Sequence, residues 1–277
     1  MLKRILLLLA DTASSMTARD YALRLAQQTG AEVAGLAGID LSDFDVRMPG
    51  AIGAATFRAK LEEELKAQAA EIRQKLRDAF ERQCRERQVT FEWVASEGEP
   101  VEMLQLATES RDLLISGHDT AFQGGLNEPL SDLLSRLTQM SPRPAIICPD
   151  SLSGSDEVLI AYDGSFPAMR AVQMFALLGL GAGREIQVLS IDDQEELAVR
   201  RADGAATYLR GHGLSVSTAP VATRSHPGDV IRSEVTERNV GTLVMGAYGR
   251  RGIREMLFGS TTNRLVADPP CAVFLYH

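Results

Sequence analysis

Gly241-Thr242-Leu243-Val244-Met245-Gly246-Ala247-Tyr248-Gly249, followed after nine intervening residues by Gly259-Ser260-Thr261-Thr262, is the stretch that decides the fold. An apolar run ends in glycine, passes through a loop and enters a helical pattern. Glycine lacks a Cβ, so a strand that ends in glycines lets its backbone approach a neighbour or ligand closely. A Ser-Thr-Thr run opening a helix supplies hydroxyls and unpaired N–H groups that suit a phosphate. The whole reads G-x2-G-x9-G-S, placed at the mouth of a parallel sheet.

Working outward, the same order of elements occurs twice. Each half opens on an apolar strand that runs into an Asp: Ile5–Leu9 before Asp11, and Val158–Ala161 before Asp163. Each later has an apolar strand ending in glycine, Leu113–Gly117 and Thr242–Gly246. Each closes with Arg-Leu (Arg136-Leu137; Arg264-Leu265), a proline turn and a last apolar strand. The period is too long for a solenoid unit and reads as a duplicated domain. Residues 1–150 and 156–277 are the expected domains, with the turn-rich stretch Pro149–Ser155 between them.

In the second half the pattern predicts strands near 157–162, 185–191, 214–222, 241–246 and 271–276. Helices are predicted near 167–180, 194–211, 227–238 and 260–267. Alternating strands and helices argue for an α/β fold with a parallel sheet covered on both faces. The expected architecture is two tandem Rossmann-like domains, each a five-stranded, mostly parallel sheet flanked by helices. The first half adds a long helix over about 57–87, whose stripe Phe57, Leu61, Leu65, Ile72, Leu76 and Phe80 is expected to face the core. The segment before it, with Pro49, Gly50 and Gly53, reads as a loop or lid.

Composition excludes several classes. The chain has 277 residues, 45% hydrophobic and 24% charged, and a formal net charge of -8. That acidity argues against a dedicated nucleic-acid binder. No apolar run nears the roughly 20 residues of a membrane span, and the short N-terminal apolar run reads as a buried strand rather than an export signal. Three cysteines, Cys84, Cys148 and Cys271, with no C-x-x-C, read as reduced thiols.

The glycine spacing, together with Asp163-Gly164-Ser165 after the half's first strand, resembles the nucleotide-binding subgroup of the universal stress protein family. The architecture of both halves shares the resemblance, but its specific motif covers only residues 163–165 and 246–262. The resemblance implies a cytoplasmic ATP-binding regulatory protein, with ATP (with or without Mg) in the second half. Asp163 would contact the adenosine, and the backbone at Ile191 would read the adenine. Ala161, Tyr162 and Met245 would line the site. Gly246 and Gly249 would lie under ribose and phosphates, with Gly259, Ser260, Thr261 and Arg250 at the phosphates. It also implies that Ala145–Cys148 and Ala272–Tyr276 pair within one chain as a pseudo-dimer, with a further homodimer left open.

The residues by themselves admit plainer readings. Asp163 is also a turn residue, Ile191 a buried strand residue and Ser260 an N-cap. Arg250, Arg251 and Arg254 read equally as a solvated basic loop. The helix macrodipole contributes about 0.3–1 kcal/mol toward an anion, and each charge-assisted hydrogen bond roughly 1.5–3 kcal/mol. Together these reach the roughly 8 kcal/mol of micromolar binding.

The first half departs from the pattern. Gly117 keeps the first glycine, but Thr120 stands in place of the second. Counted back from the shared Arg-Leu, Ser131 and Asp132 replace Gly259 and Ser260, and an Asp there repels a phosphate. Gly124 and Gly125 are off register. Asp11 remains, with Thr12 and Ala13 in place of Gly-Ser. The first site is therefore expected to be degenerate. His118 and Asp119 invite a metal or acid–base reading, but adjacent side chains point apart on an extended chain and no third ligand is apparent. His212, His226 and His277 form no cluster in sequence. No Walker motif, H-E-x-x-H or G-x-S-x-G is present, so any ATP hydrolysis should be slow. A nucleotide-binding regulator, a slow ATPase and a scaffold with a vestigial site all remain open.

Overall fold

The computed structural model describes residues 1–37, 39–40, 54–94, 97–98, 100–120, 143–152, 155–247 and 260–277. The first half contributes β1 (Arg4–Leu8), α1 (Ala13–Thr29), β2 (Glu32–Leu36), β3 (Ile39–Asp40), α2 (Ala54–Glu86), β4 (Phe91–Val94), β5 (Glu97–Gly98), α3 (Pro100–Glu109), β6 (Leu113–Gly117) and β7 (Ala145–Cys148). The second contributes β8 (Val158–Ala161), α4 (Phe166–Leu178), β9 (Glu185–Asp192), α5 (Glu195–Gly211), β10 (Ser215–Ala222), α6 (Pro227–Glu237), β11 (Thr242–Gly246), α7 (Ser260–Ala267) and β12 (Ala272–Tyr276).

The expected α/β fold is present, and the two five-stranded sheets join into one. Its order is β10-β9-β8-β11-β12-β7-β6-β1-β2-β4. Neighbours within each half pair in parallel. The seam is antiparallel: Val273 faces Ile147, Phe274 faces Ile146 and Leu275 faces Ala145. This is the expected pairing of the two last strands. A separate two-stranded sheet, β3 with β5, was not foreseen; strands of two residues carry no readable period.

Strands in the middle of the sheet are buried on both faces, which is why they read as unbroken apolar runs. β6 is buried along its whole length. One face is covered by α1, α2, α4 and α5, whose Leu23, Phe80, Phe175 and Leu209 join one core. The other is covered by α3, α6 and α7 through Leu104, Ile231 and Leu265. At the edges the pattern changes. β10 alternates between exposed and half-buried and carries Pro220, as an edge strand tolerates. Of the α2 stripe, Leu76 and Phe80 are buried, and Phe80 meets Phe91 edge-on at 5.9 Å. The side chains of Phe57, Leu61 and Leu65, and the segment 49–53, lie outside the described residues.

The halves are also tied outside the sheet. The N-terminal ammonium donates to the Leu177 carbonyl at 2.8 Å, and the Leu2 N–H to that of Leu178 at 3.0 Å. Thr242 takes a bond from Arg184 Nη2 at 2.8 Å and lies 3.3 Å from the Tyr21 hydroxyl. Cys84, Cys148 and Cys271 are buried free thiols. Burial pushes the Cys84 and Cys271 thiols up to about 12, and raises that of Cys148 as well.

Candidate functional site at the sheet's carboxyl edge

In the second half the chain leaves β8 for β9 and β10 on one side, then crosses to β11 and β12 on the other. Strand order therefore reverses between β8 and β11, and the crevice beyond that point is where open α/β sheets take ligands. Six of the residues singled out from sequence, Ala161, Tyr162, Asp163, Ile191, Met245 and Gly246, lie at or just after the ends of these strands. Ala161 pairs with Met245 across the two strands. Tyr162 follows β8 and donates its N–H to the Leu189 carbonyl at 2.9 Å. Asp163 comes next. Ile191 lies near the end of the neighbouring β9, half-buried, and Gly246 ends β11. Burial and the nearby Asp163 push the Tyr162 phenol up, against the opposing effect of Arg201.

Local chemistry explains the loop after β8. Asp163 Oδ1 accepts from the Ser165 N–H at 2.9 Å. Gly164 sits at φ +76, a conformation that side chains resist. Ser165 then caps α4 by accepting from the Ala168 N–H at 3.3 Å. So Asp163 does form a turn, as its plainer reading held, at the edge of the crevice.

Gly246 has a reason independent of any ligand. A Cβ there would stand 2.5 Å from the Ala168 nitrogen and 2.6 Å from the Pro167 carbonyl carbon. Gly117 is in the same position against α1, with Ser14 and Ser15 backbone atoms at 2.6 Å. Each glycine lets the first turn of a helix lie on the strand end.

α7 spans Ser260–Ala267. Thr261 is half-buried, and its methyl would stand 3.4 Å from a Cβ placed on Gly228 at the start of α6. The two helices are bridged by Arg264 and Asp229 at 3.0 Å. Gly249, Arg250, Arg251, Arg254 and Gly259 lie outside the described residues.

Sequence reading missed Arg201. It reaches from α5 to Asp192 at the end of β9, Nη1 to Oδ2 at 2.5 Å, with both side chains about one-tenth exposed (9% and 13%). Its Nε would lie 3.3 Å from a Cβ on Gly164, so the guanidinium flanks the loop carrying Asp163. The backbone N–H of Gln194, and then Arg201, hold the Asp192 carboxyl below its ordinary range. Nothing in local sequence pairs positions nine apart on a strand and a helix.

In the first half the strand register corrects the alignment drawn from sequence. Leu8 pairs with Leu36 as Ala161 does with Leu189, and Leu9 donates to Leu36 as Tyr162 does to Leu189. Ala10 therefore stands where Asp163 stands, and Asp11 corresponds to Gly164. Thr12 caps α1, accepting from the Ser15 N–H at 3.2 Å, so it matches Ser165. Sequence comparison was one residue out because an Asp followed both strands. Thr120 is buried and accepts from the Gly117 N–H at 3.1 Å. Gly124, Gly125, Ser131 and Asp132 lie outside the described residues.

His118 and Asp119 also differ from expectation. They lie in a turn after β6, not on an extended chain, and a third residue joins them. His118 Nε2 is 3.2 Å from Asp150 Oδ1. Ligand atoms of His118, Asp119 and Asp150 all lie within 4.8 Å of one another. Ser14 Oγ donates a short hydrogen bond to Asp119 Oδ1. Burial raises the Asp119 carboxyl, but bonds from Ser14 and Thr12 outweigh it and hold the group below its ordinary range. Asp150 was not found from sequence because β7 and a long connection separate it from the pair.

Comparison with known proteins bears on the second half most directly. Residues 154–277 match the family model described as the Universal stress protein family. The chain is 23% identical over 145 residues to Universal stress protein Slr1230 of Synechocystis, covering 52% of this chain and 50% of that protein; it thus spans about half that relative's length. It is 24% identical over 131 residues to a universal stress protein of Thermus aquaticus, covering 43% of this chain and 96% of that one. A solved universal stress protein from Archaeoglobus fulgidus superimposes with a TM-score of 0.67 at 18% identity, over 99% of this chain and 97% of that one. At that identity the likeness is one of fold.

Proposed function

We propose, from the match of residues 154–277 to the universal stress protein family model, that the chain is a tandem member, with domains 1–150 and 156–277, that binds one adenine nucleotide in its second domain. The ligand is ATP, with or without Mg. Asp163, the Ile191 backbone, Ala161, Tyr162, Met245 and Gly246 form the nucleoside side of the crevice. Gly249, Arg250, Gly259, Ser260 and Thr261 attend the phosphates. The supporting observation is that Gly246 ends β11 and Asp163 follows β8, two neighbouring strands at the point where strand order reverses. Ala10 at the matching place in the first half supports a single site. Nucleotide occupancy is then a regulatory signal in a cytoplasmic protein, with turnover slow or absent.

One observation favours a second reading, a scaffold with a vestigial site: Gly246 is required by the packing of α4 whether or not a ligand binds. Calorimetric titration of nucleotide-stripped protein with Mg-ATP separates the two. One ATP per chain at micromolar affinity, weakened by Asp163→Ala and abolished by Gly259→Asp, supports the nucleotide reading. Two per chain means that the first-half departures are tolerated, and none leaves the scaffold.

A further inference from the structure

We propose that His118, Asp119 and Asp150 form a binding site for a divalent transition metal of the zinc class, at the carboxyl edge of the first half. It is independent of the nucleotide reading and lies on the opposite edge of the sheet from Asp163, because the two halves run antiparallel across the seam.

The donor set is mixed, one imidazole and two carboxylates, which matches the preference of zinc-class ions for nitrogen with oxygen. Metal–ligand bonds of about 2.0–2.2 Å place ligand atoms on one ion roughly 3–3.5 Å apart. His118 Nε2 and Asp150 Oδ1 already stand at 3.2 Å. The widest separation in the set is within 4.8 Å, so closure needs side-chain movement of about an ångström. Asp150, with a side chain 65% exposed, is able to make that movement.

The frame behind the ligands is held. The His118 N–H donates to the Cys148 carbonyl at 3.0 Å, which locks the turn to β7. Thr17 Oγ1 donates to the Asp150 carbonyl at 2.7 Å, which fixes the start of the connection after β7. Ser14 donates to Asp119 Oδ1 and holds that carboxylate in place. Such outer partners orient ligands and strengthen binding. Three protein ligands leave further positions open to water.

The test uses tag-free full-length protein, treated with EDTA and dialysed, and titrated calorimetrically with zinc chloride. The expected result is one Zn2+ per chain with a dissociation constant on the order of micromolar. His118→Ala and Asp150→Ala should each weaken it at least about tenfold, and Ser14→Ala by on the order of 10–100-fold, the usual effect of losing an outer partner. Melting curves of the metal-free variants show that the fold is kept. Asp150→Asn, which preserves shape, gives a second measure should Asp150→Ala misfold. With Co2+ as probe, a visible absorption band should appear in the wild type and be lost in His118→Ala. Zn2+ uptake that survives both His118→Ala and Asp150→Ala overturns the proposal, as does no binding at 100-fold above the expected constant. Displacement of Zn2+ by an equal concentration of Mg2+ overturns the assignment to a transition metal.

Discussion

Gly246 and Gly117 carry the same physical demand in two settings. Each ends a strand beneath the first turn of a helix, and each would drive a Cβ into backbone that cannot rotate away. Overpacking of this kind costs about 1–3 kcal/mol. Gly246→Ala should therefore lower stability to urea in nucleotide-free protein, and Gly117→Ala should do the same. If Gly246→Ala instead kept full stability and lost only ligand binding, the glycine would serve the ligand rather than the helix. At this scale sequence was a good guide to residue type and a poor one to residue role. The glycines were legible as points of close approach, but what approaches them was not.

Among elements, the contact between β9 and α5 is set by charge as well as apolar burial. Arg201 and Asp192 pair across it, in reach of the loop that carries Asp163. The Asp192 carboxyl is depressed in the folded state, so its contribution is complete above its unfolded pKa of about 3.9. It is lost as pH falls through the lower folded value. Arg201→Met should be less stable than the wild type at pH 7, and the gap should close as the two proteins are compared in progressively stronger acid below about pH 4. A gap that stays constant into strong acid would mean that Arg201 acts by packing its stem. Ser165 and Thr12 cap the starts of α4 and α1, and Gly179 and Gly30 end them at positive φ. Helix and strand bounds in the second half matched expectation closely, because burial on both faces leaves unbroken apolar strands between amphipathic helices.

The whole molecule is one sheet made of two similar halves. Its seam is central rather than peripheral: Phe274 is fully buried, faces Ile146 across the antiparallel pair and meets Phe175 edge-on at 5.7 Å. Phe274→Ala should cost about 3–5 kcal/mol, as large-to-small core changes do. The shared sheet also predicts a single cooperative urea transition in the wild type; two separate transitions would show that the halves unfold independently. The antiparallel seam turns the carboxyl edges of the halves to opposite sides, so the Asp163 crevice and the His118–Asp119–Asp150 cluster face away from each other. By itself, the sequence determined the alternation of strand and helix, the duplication, the glycine positions and the apolar faces. All of these depend on periodicity and on neighbours a few residues apart. Only the tertiary structure decided that Ala10, not Asp11, matches Asp163, that Asp150 joins His118 and Asp119, and that Arg201 flanks the crevice. Those meetings depend on strand register and on turns that bring distant segments together, and a one-residue change in register moves a side chain to the other face of the sheet.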